Sequence, residues 1–147
     1  MNTTTPYLKP GLARPAPTDG LDAPFWDGLR DEKLLLQRCA ACTGWQWGPE
    51  LVCHRCHSFD LRYEETEPTG VIYSHQRVWH PVHPALAEQG PYIIVLVELP
   101  HADNVRMIGN LLGEPEQPLE IGAAVAGVFE HHHDEDPPFT LLQWVTV

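Results

Sequence analysis

Residues 39–56 read CAACTGWQWGPELVCHRC and contain all four cysteines of the 147-residue chain. The cysteines form two Cys-x-x-Cys pairs, Cys39 with Cys42 and Cys53 with Cys56, and ten residues separate the pairs. Each Cys-x-x-Cys turn presents two thiolates on one side, and two such turns complete the tetrahedron that zinc prefers. The spacing therefore predicts a zinc site in which all four cysteines are ligands.

The predicted zinc is structural, because four thiolates fill its coordination shell and leave no open position for a reacting water. Iron fits the same ligand set. A redox dithiol would need a single pair at the start of a helix in a βαβ unit, and this chain matches neither condition. His54 and His57 flank the second pair, and beside four cysteines they are expected to be solvated loop residues.

The residues before the cysteines predict an arm and a short helix. Residues 1–20 are polar and contain four prolines, so a disordered or extended arm is expected there. Residues 21–33 predict an amphipathic helix with Phe25 and Trp26 on its apolar stripe. This helix is expected either to cover other parts of the chain or to dock on a partner.

The residues after the helix predict a zinc ribbon over 34–63 and a β-barrel over 64–147. Five apolar segments follow one another in the second region, at 71–79, 92–99, 105–112, 123–129 and 139–147. Short runs rich in Gly, Pro and Asp separate them, and no long helix intervenes, which favours an antiparallel barrel. The predicted fold class is therefore mainly β, with a short N-terminal helix, a four-cysteine ribbon and a five-stranded barrel.

The second of these segments, YIIVLVEL at 92–99, is apolar on both faces. A small barrel hides only one face of each strand. The set containing Tyr92 and Ile94 therefore needs cover from the helix, from the ribbon or from another protein. Trp79 ends the first segment, and the Pro-rich loop after it carries His80 and His83. The candidate residues for contact with a partner or a ligand are Phe25, Trp26, Trp79, His80, His83, Tyr92 and Ile94.

A run of three histidines, at 131–133, precedes the acidic residues 134–136. Consecutive residues at a strand end point to alternating sides, so these histidines are not expected to converge on a metal ion. A solvated hairpin tip is predicted instead.

The charge distribution argues against a nucleic-acid partner. The formal net charge is −11, and residues 64–147 carry thirteen acidic side chains against only Arg77 and Arg106. Such a surface repels phosphates, which disfavours the alternative of a nucleic-acid-binding ribbon and barrel module. No long apolar segment or secretory leader is recognised, so a cytoplasmic protein without membrane contact is expected. No catalytic signature is found, and no catalytic residue is predicted.

A series of short motifs runs through the chain in a fixed order. They are LLLQRCAAC at 34–42, CHRCHS at 53–58, TGVIYS at 69–74, HP at 80–81, PY at 91–92, IGNL at 108–111, IG at 121–122 and VFE at 128–130. This order resembles the DUF35 family, the acyl-CoA-associated OB-fold proteins with a rubredoxin-like zinc ribbon. The chain departs from the family at His54, where members commonly have Pro, and in its acidic tip at 134–136.

The resemblance implies an N-terminal helix, a ribbon and an OB-fold barrel. It also implies association with a thiolase-fold catalytic subunit, as a heterotetramer of two of each chain. In such complexes the partner holds the catalytic residues, and the OB-fold protein supports it and helps to shape the acyl-CoA entrance. The implied reactions are thiolysis, acyl transfer or retro-aldol cleavage of acyl-CoA thioesters. Zinc is then the structural cofactor, and the CoA thioester is a substrate of the complex only.

Overall fold

A computed structural model describes residues 1–15 and 20–147, and the part of the predicted arm at 16–19 lies outside the described residues. The described elements, in chain order, are β1 (Asn2–Thr3), α1 (Ala23–Arg30), β2 (Leu34–Cys39), β3 (Trp45–Gln46), β4 (Leu61–Thr66), β5 (Thr69–Val78), β6 (Tyr92–Leu99), β7 (Val105–Asn110), β8 (Ala124–His132) and β9 (Phe139–Thr146). This confirms the predicted mainly β fold class. No helix in the described ranges has the length and apolar character needed to cross a membrane.

The ribbon is a three-stranded antiparallel sheet in the order β3-β2-β4. Strand β4 pairs with β2 along its whole length, from Leu34 opposite Thr66 to Cys39 opposite Leu61. The ribbon sheet therefore extends through Thr66, three residues past the boundary at 63 that the sequence suggested.

The barrel is formed by β5 to β9. Strand β5 pairs with both β6 and β8. A bulge between Ile72 and Ser74 bends β5, and this bend allows it to pair with both strands. The pairs β6 with β7 and β8 with β9 continue the sheet, and a bridge between Leu111 and Trp144 closes it. Gly109 permits this closure, because a Cβ there would lie 2.8 Å from Cδ1 of the fully buried Trp144.

The ribbon, the helix and the barrel share one hydrophobic core. Leu34 and Leu36 of β2 are 1% and 0% exposed, and they join a cluster of buried barrel residues. The helix α1 packs against β2, β8 and β9 and adds Phe25 and Leu29 to the same cluster. The ribbon is therefore part of the core of the molecule rather than an appendage.

The described part of the N-terminal arm, residues 1–15, lies across the barrel. Strand β1 pairs in parallel with β8, with Asn2 opposite Phe129 and Thr3 opposite Glu130. Further along the arm, the backbone N–H of Lys9 donates to Oε1 of Gln89 at 2.9 Å.

The shared core predicts that a truncation in the ribbon strand destabilises the whole chain. Leu36→Ala should lower the free energy of unfolding by about 2–5 kcal/mol, because it leaves a cavity in the common core. Leu51→Ala, at a ribbon position that is 66% exposed, should change it by no more than about 0.5 kcal/mol. Chemical denaturation followed by Trp fluorescence measures both. Equal, small effects would show that the ribbon and the barrel do not share a core.

Candidate functional site

The four cysteine sulfurs form one compact cluster. All four Sγ atoms lie within 4.8 Å of one another. The Sγ atoms of Cys39 and Cys56 are 3.6 Å apart, as are those of Cys42 and Cys53. A tetrahedral zinc with Zn–S distances of about 2.3 Å requires sulfurs about 3.8 Å apart. The donor set and its spacing therefore fit a single structural zinc ion.

Two equivalent turns position these thiols. Thr43 donates its backbone N–H to the carbonyl of Cys39 at 2.8 Å, and His57 donates in the same way to the carbonyl of Cys53 at 2.9 Å. Thr43 and His57 both adopt left-handed backbone conformations, with φ of 61° and 62°. The side chains of His54 and His57 are exposed, as expected for loop residues.

Backbone N–H groups directed at the sulfurs favour the thiolate form. Hydrogen bonds from the N–H groups of Cys56 and Arg55 lower the pKa of Cys53 to about 6, and one from Cys42 lowers the pKa of Cys39. The N–H of Ser58 acts in the same direction on Cys56, but desolvation and the three neighbouring thiols outweigh it and raise that pKa to about 11. The cluster thus needs a cation for all four groups to ionise, and metal binding releases protons.

A buried glutamine pair stabilises the loop between the two Cys-x-x-Cys turns. Gln46 donates its side-chain N–H to Oε1 of Gln37 at 2.9 Å, and both residues are almost fully buried. Gln37 also donates to the backbone carbonyl of Glu50 and accepts from its N–H, at 3.0 and 2.9 Å. Sequence reasoning missed this pair, since glutamine in a strand gives no signal of burial.

An apolar patch lies on the side of β6 and β7 that faces away from the core, and we call it the outer sheet face. It is formed by Tyr92, Ile94, Leu96 and Ile108. Leu96 pairs directly with Ile108, whose side chain is 72% exposed. The alternating buried residues of β6 point into the barrel. Ile108 was missed by sequence reasoning, because its exposure depends on the pairing of β7 with β6.

The structure separates the predicted contact residues into different places. Phe25 is only 4% exposed and packs against Trp26 and Trp47, so it is a core residue rather than a surface contact. Trp26 is half-buried, and its indole N–H donates to Oδ2 of Asp22 at 2.8 Å. The helix therefore packs on β2, β8 and β9 and is not laid over Tyr92 and Ile94.

Trp79 lies apart from the outer sheet face. The guanidinium of Arg77 stacks over its ring at 5.6 Å and donates to the carbonyls of Pro115 and Gln117. Residues 77 and 79 thus share one side of the chain, whereas Tyr92 and Ile94 lie on the other. His80 and His83 are exposed in the following loop, and His83 Nδ1 accepts the N–H of Ala85 at 3.1 Å.

The predicted solvated tip at 131–136 is wrong for its first two residues, because β8 continues through His132. His131 is buried, and its ring nitrogens contact Oγ1 of Thr140 at 2.9 Å and Oε1 of Glu32 at 3.2 Å. His132 is largely covered, and its Nε2 lies 2.7 Å from Oε1 of Glu130. The end of α1 and the arm supply the cover, and both come from distant sequence.

The four-cysteine ribbon and the closed five-stranded barrel together define a zinc-ribbon OB-fold protein. Residues 26–62 match the family described as ChsH2, rubredoxin-like zinc ribbon domain. Residues 63–130 match the family described as ChsH2, C-terminal OB-fold domain. These matches meet within β4, where the ribbon sheet passes into the barrel.

Solved and curated proteins give the same result. A solved structure described as "Ltp2-ChsH2(DUF35) aldolase" is 33% identical, with a TM-score of 0.73 over 90% of this chain and 98% of that one. A Sulfolobus solfataricus DUF35 protein of unknown function, 16% identical over 88% of this chain and 87% of that one, shares the fold with a TM-score of 0.57. The "Probable enoyl-CoA hydratase alpha subunit" of Thermomonospora curvata is 38% identical over 118 residues, 80% of this chain.

The chain belongs to the DUF35 family, as its motifs suggested, and its ribbon and barrel are those of the ChsH2 type. It spans about a third, 36%, of the length of the curated relative that it matches.

The cysteine geometry predicts one zinc per chain, measured by metal analysis of the purified protein. Cys53→Ser should abolish stoichiometric zinc and give insoluble protein, because the small ribbon depends on its metal. His54→Asn is the control, since His54 is exposed and outside the cluster, and it should retain zinc. Pure, soluble wild-type protein without zinc or iron would contradict the assignment.

Proposed function

We propose that this chain is a non-catalytic accessory subunit of an acyl-CoA enzyme, acting in the cytoplasm beside a thiolase-fold subunit related to Ltp2. The observation that carries the proposal is the similarity to the DUF35 chain of the Ltp2-ChsH2 aldolase, nearly all of which this chain covers. The name of the curated relative, an enoyl-CoA hydratase subunit, supports an acyl-CoA substrate for the complex. Among the reactions implied by the family, the aldolase relative favours retro-aldol cleavage.

The absence of a free thiol supports a non-catalytic role. All four cysteines lie in the metal cluster, so no thiol is left to form an acyl-enzyme. The neighbouring pair Ser74 and His75 is an unsuitable nucleophile and base. Ser74 pairs with Leu96 and is exposed, whereas His75 pairs with Val95 and is directed to the opposite side of the strand.

The outer sheet face supports a protein partner. Ile94, Leu96 and Ile108 form a contiguous apolar surface, in which Ile108 is exposed and Ile94 and Leu96 are half-buried. Burying such a surface contributes about 25 cal/mol per Å² before the entropic cost of association is subtracted. Tyr73 and Arg106 border the patch, with the Arg106 guanidinium 3.5 Å from the Tyr73 ring centroid. A polar rim around an apolar centre is typical of protein interfaces.

The acidic barrel adds an electrostatic preference. Thirteen acidic residues against two arginines in residues 64–147 favour a partner surface with positive charge around the contact. The same charge disfavours the nucleic-acid alternative. We propose a heterotetramer of two chains of each kind, in which the accessory chain stabilises the catalytic subunit and helps to form the acyl-CoA entrance.

The first test of this proposal is catalytic. The purified chain alone should turn over no acyl-CoA thioester, and activity should require a thiolase-fold subunit obtained by co-purification. Coupled assays for thiolysis and for retro-aldol cleavage measure both, and mass analysis of the co-purified complex gives its stoichiometry. Turnover by the chain alone would place it among stand-alone enzymes.

The second test concerns the docking surface. Ile94→Glu and Ile108→Glu should weaken binding to the catalytic subunit at least about tenfold, because each buries a charge in the apolar centre. Trp79→Ala tests separately whether Trp79, which stacks with Arg77 apart from the outer sheet face, contributes to binding. Leu51→Glu, at an exposed position in the ribbon, is the control and should bind normally.

Zinc content and affinity, the latter by isothermal titration, are measured for every variant. If Ile94→Glu and Ile108→Glu remain soluble and zinc-loaded and bind the catalytic subunit with unchanged affinity, the interface lies elsewhere.

A further inference from the structure

A cavity of about 380 Å³ lies beneath the N-terminal arm. Residues 6–14 form one wall, and residues of β7, β8, β9 and the hairpin between the last two form the other. Most of its lining is apolar, including Leu8 and Leu12 of the arm and Leu141 of β9. Ligand pockets in proteins commonly have this size and this mainly apolar lining. Nothing in the proposed partner interface makes use of this cavity.

The floor of the cavity contains a carboxylate that is almost completely buried. Glu130 is 1% exposed, and three donors contact its oxygens. Nε2 of His132 lies 2.7 Å from Oε1, while the backbone N–H of Tyr7 and the side-chain N–H of Gln143 lie 3.1 and 3.3 Å from Oε2. Glu130 lines the cavity, and its three recognised contacts use three of the about four acceptor positions of a carboxylate.

A neighbouring amide also leaves an acceptor. Asn110 lines the cavity, and its Nδ2 is used in a hydrogen bond to the carbonyl of Ile93 at 3.0 Å. The backbone N–H of Asn110 donates to Oε1 of Gln143 at 2.8 Å. Among the described residues, Oδ1 of Asn110 has no donor. The floor therefore offers acceptors to a ligand from both Glu130 and Asn110.

The positive charges that line the cavity are paired with acidic residues. Arg14 contacts Oε2 of Glu135 at 2.9 Å, and Lys9 lies 4.0 Å from the carboxylate of Glu88. A ligand with an anionic head would meet the Glu130 carboxylate, and both cations of the lining already contact acidic residues. A cationic head would lose its hydration beside a carboxylate that already has three donors, and this desolvation cost weakens binding.

We infer that this arm cavity binds a small, mainly apolar molecule with an uncharged hydrogen-bond donor at its head, such as an alcohol. The apolar part lies among Leu8, Leu12 and Leu141, and the hydroxyl donates to the acceptors of Glu130 and Asn110. The site is independent of the proposed partner, since it uses other residues and needs no second chain.

Three probes with one skeleton test this ligand class on the full zinc-loaded chain. They are 4-phenylbutan-1-ol, 4-phenylbutanoate and 4-phenylbutylamine, and binding is followed by chemical-shift changes in residues 6–14 and in β8 and β9. The alcohol should bind at least about tenfold more tightly than the carboxylate, and more tightly than the amine. Failure of the alcohol to bind up to millimolar concentration would overturn the inference, as would equal or tighter binding of either charged probe.

Matched variants test whether the probes bind in the arm cavity. Glu130→Gln keeps the side-chain shape and removes the negative charge, so the preference for alcohol over carboxylate should fall to about threefold or less. Glu98→Gln is the control, because Glu98 pairs with Arg106 outside the cavity and should leave the preference unchanged. Leu141→Trp should block alcohol binding by filling the space. Retained selectivity and affinity in both Glu130→Gln and Leu141→Trp would place the probe elsewhere and refute the site.

Discussion

The four-thiol cluster is the interaction on which the rest of the structure depends. The ribbon sheet contains one two-residue strand and two six-residue strands, which is too little to form a core of its own. Cys39 ends β2, and the same strand places Leu34 and Leu36 in the common core. A metal ion that holds the two Cys-x-x-Cys turns together therefore also positions β2, which completes the packing against the barrel. In this way a local coordination bond controls a long-range hydrophobic contact.

This arrangement decides which surfaces remain for other molecules. The helix α1 covers β8 and β9 on one side and packs on β2 of the ribbon, and Phe25 is used there as a packing residue. The arm covers another part of β8, where Glu130 accepts the N–H of Tyr7. The outer sheet face, with its exposed Ile108, is the surface proposed for the catalytic partner. The arm cavity is a separate feature, enclosed between two segments of the same chain.

Much of the architecture could be predicted because its signals are local. Paired cysteines at fixed spacing predict the cluster, and short apolar segments between turn formers predict the barrel strands. The remainder depends on pairings between distant residues. The burial of His131 requires Thr140 and Glu32, and the exposure of Ile108 follows from its position opposite Leu96. Trp79 and Tyr92 were both candidate contact residues, but they lie on different sides of the sheet, since Arg77, which stacks with Trp79, pairs with the core-facing Ile93.

The most direct test of the central claim is amide hydrogen exchange with and without the metal. In chelator-treated protein, shown by metal analysis to be free of zinc, protection should be lost in β2, β3 and β4, and also in α1, which packs on β2. Strands β5 and β6 should keep more of their protection, since their pairing lies within the barrel. Unchanged protection of β2 and α1 after complete metal removal would contradict the account, because the shared core would then form without the cluster.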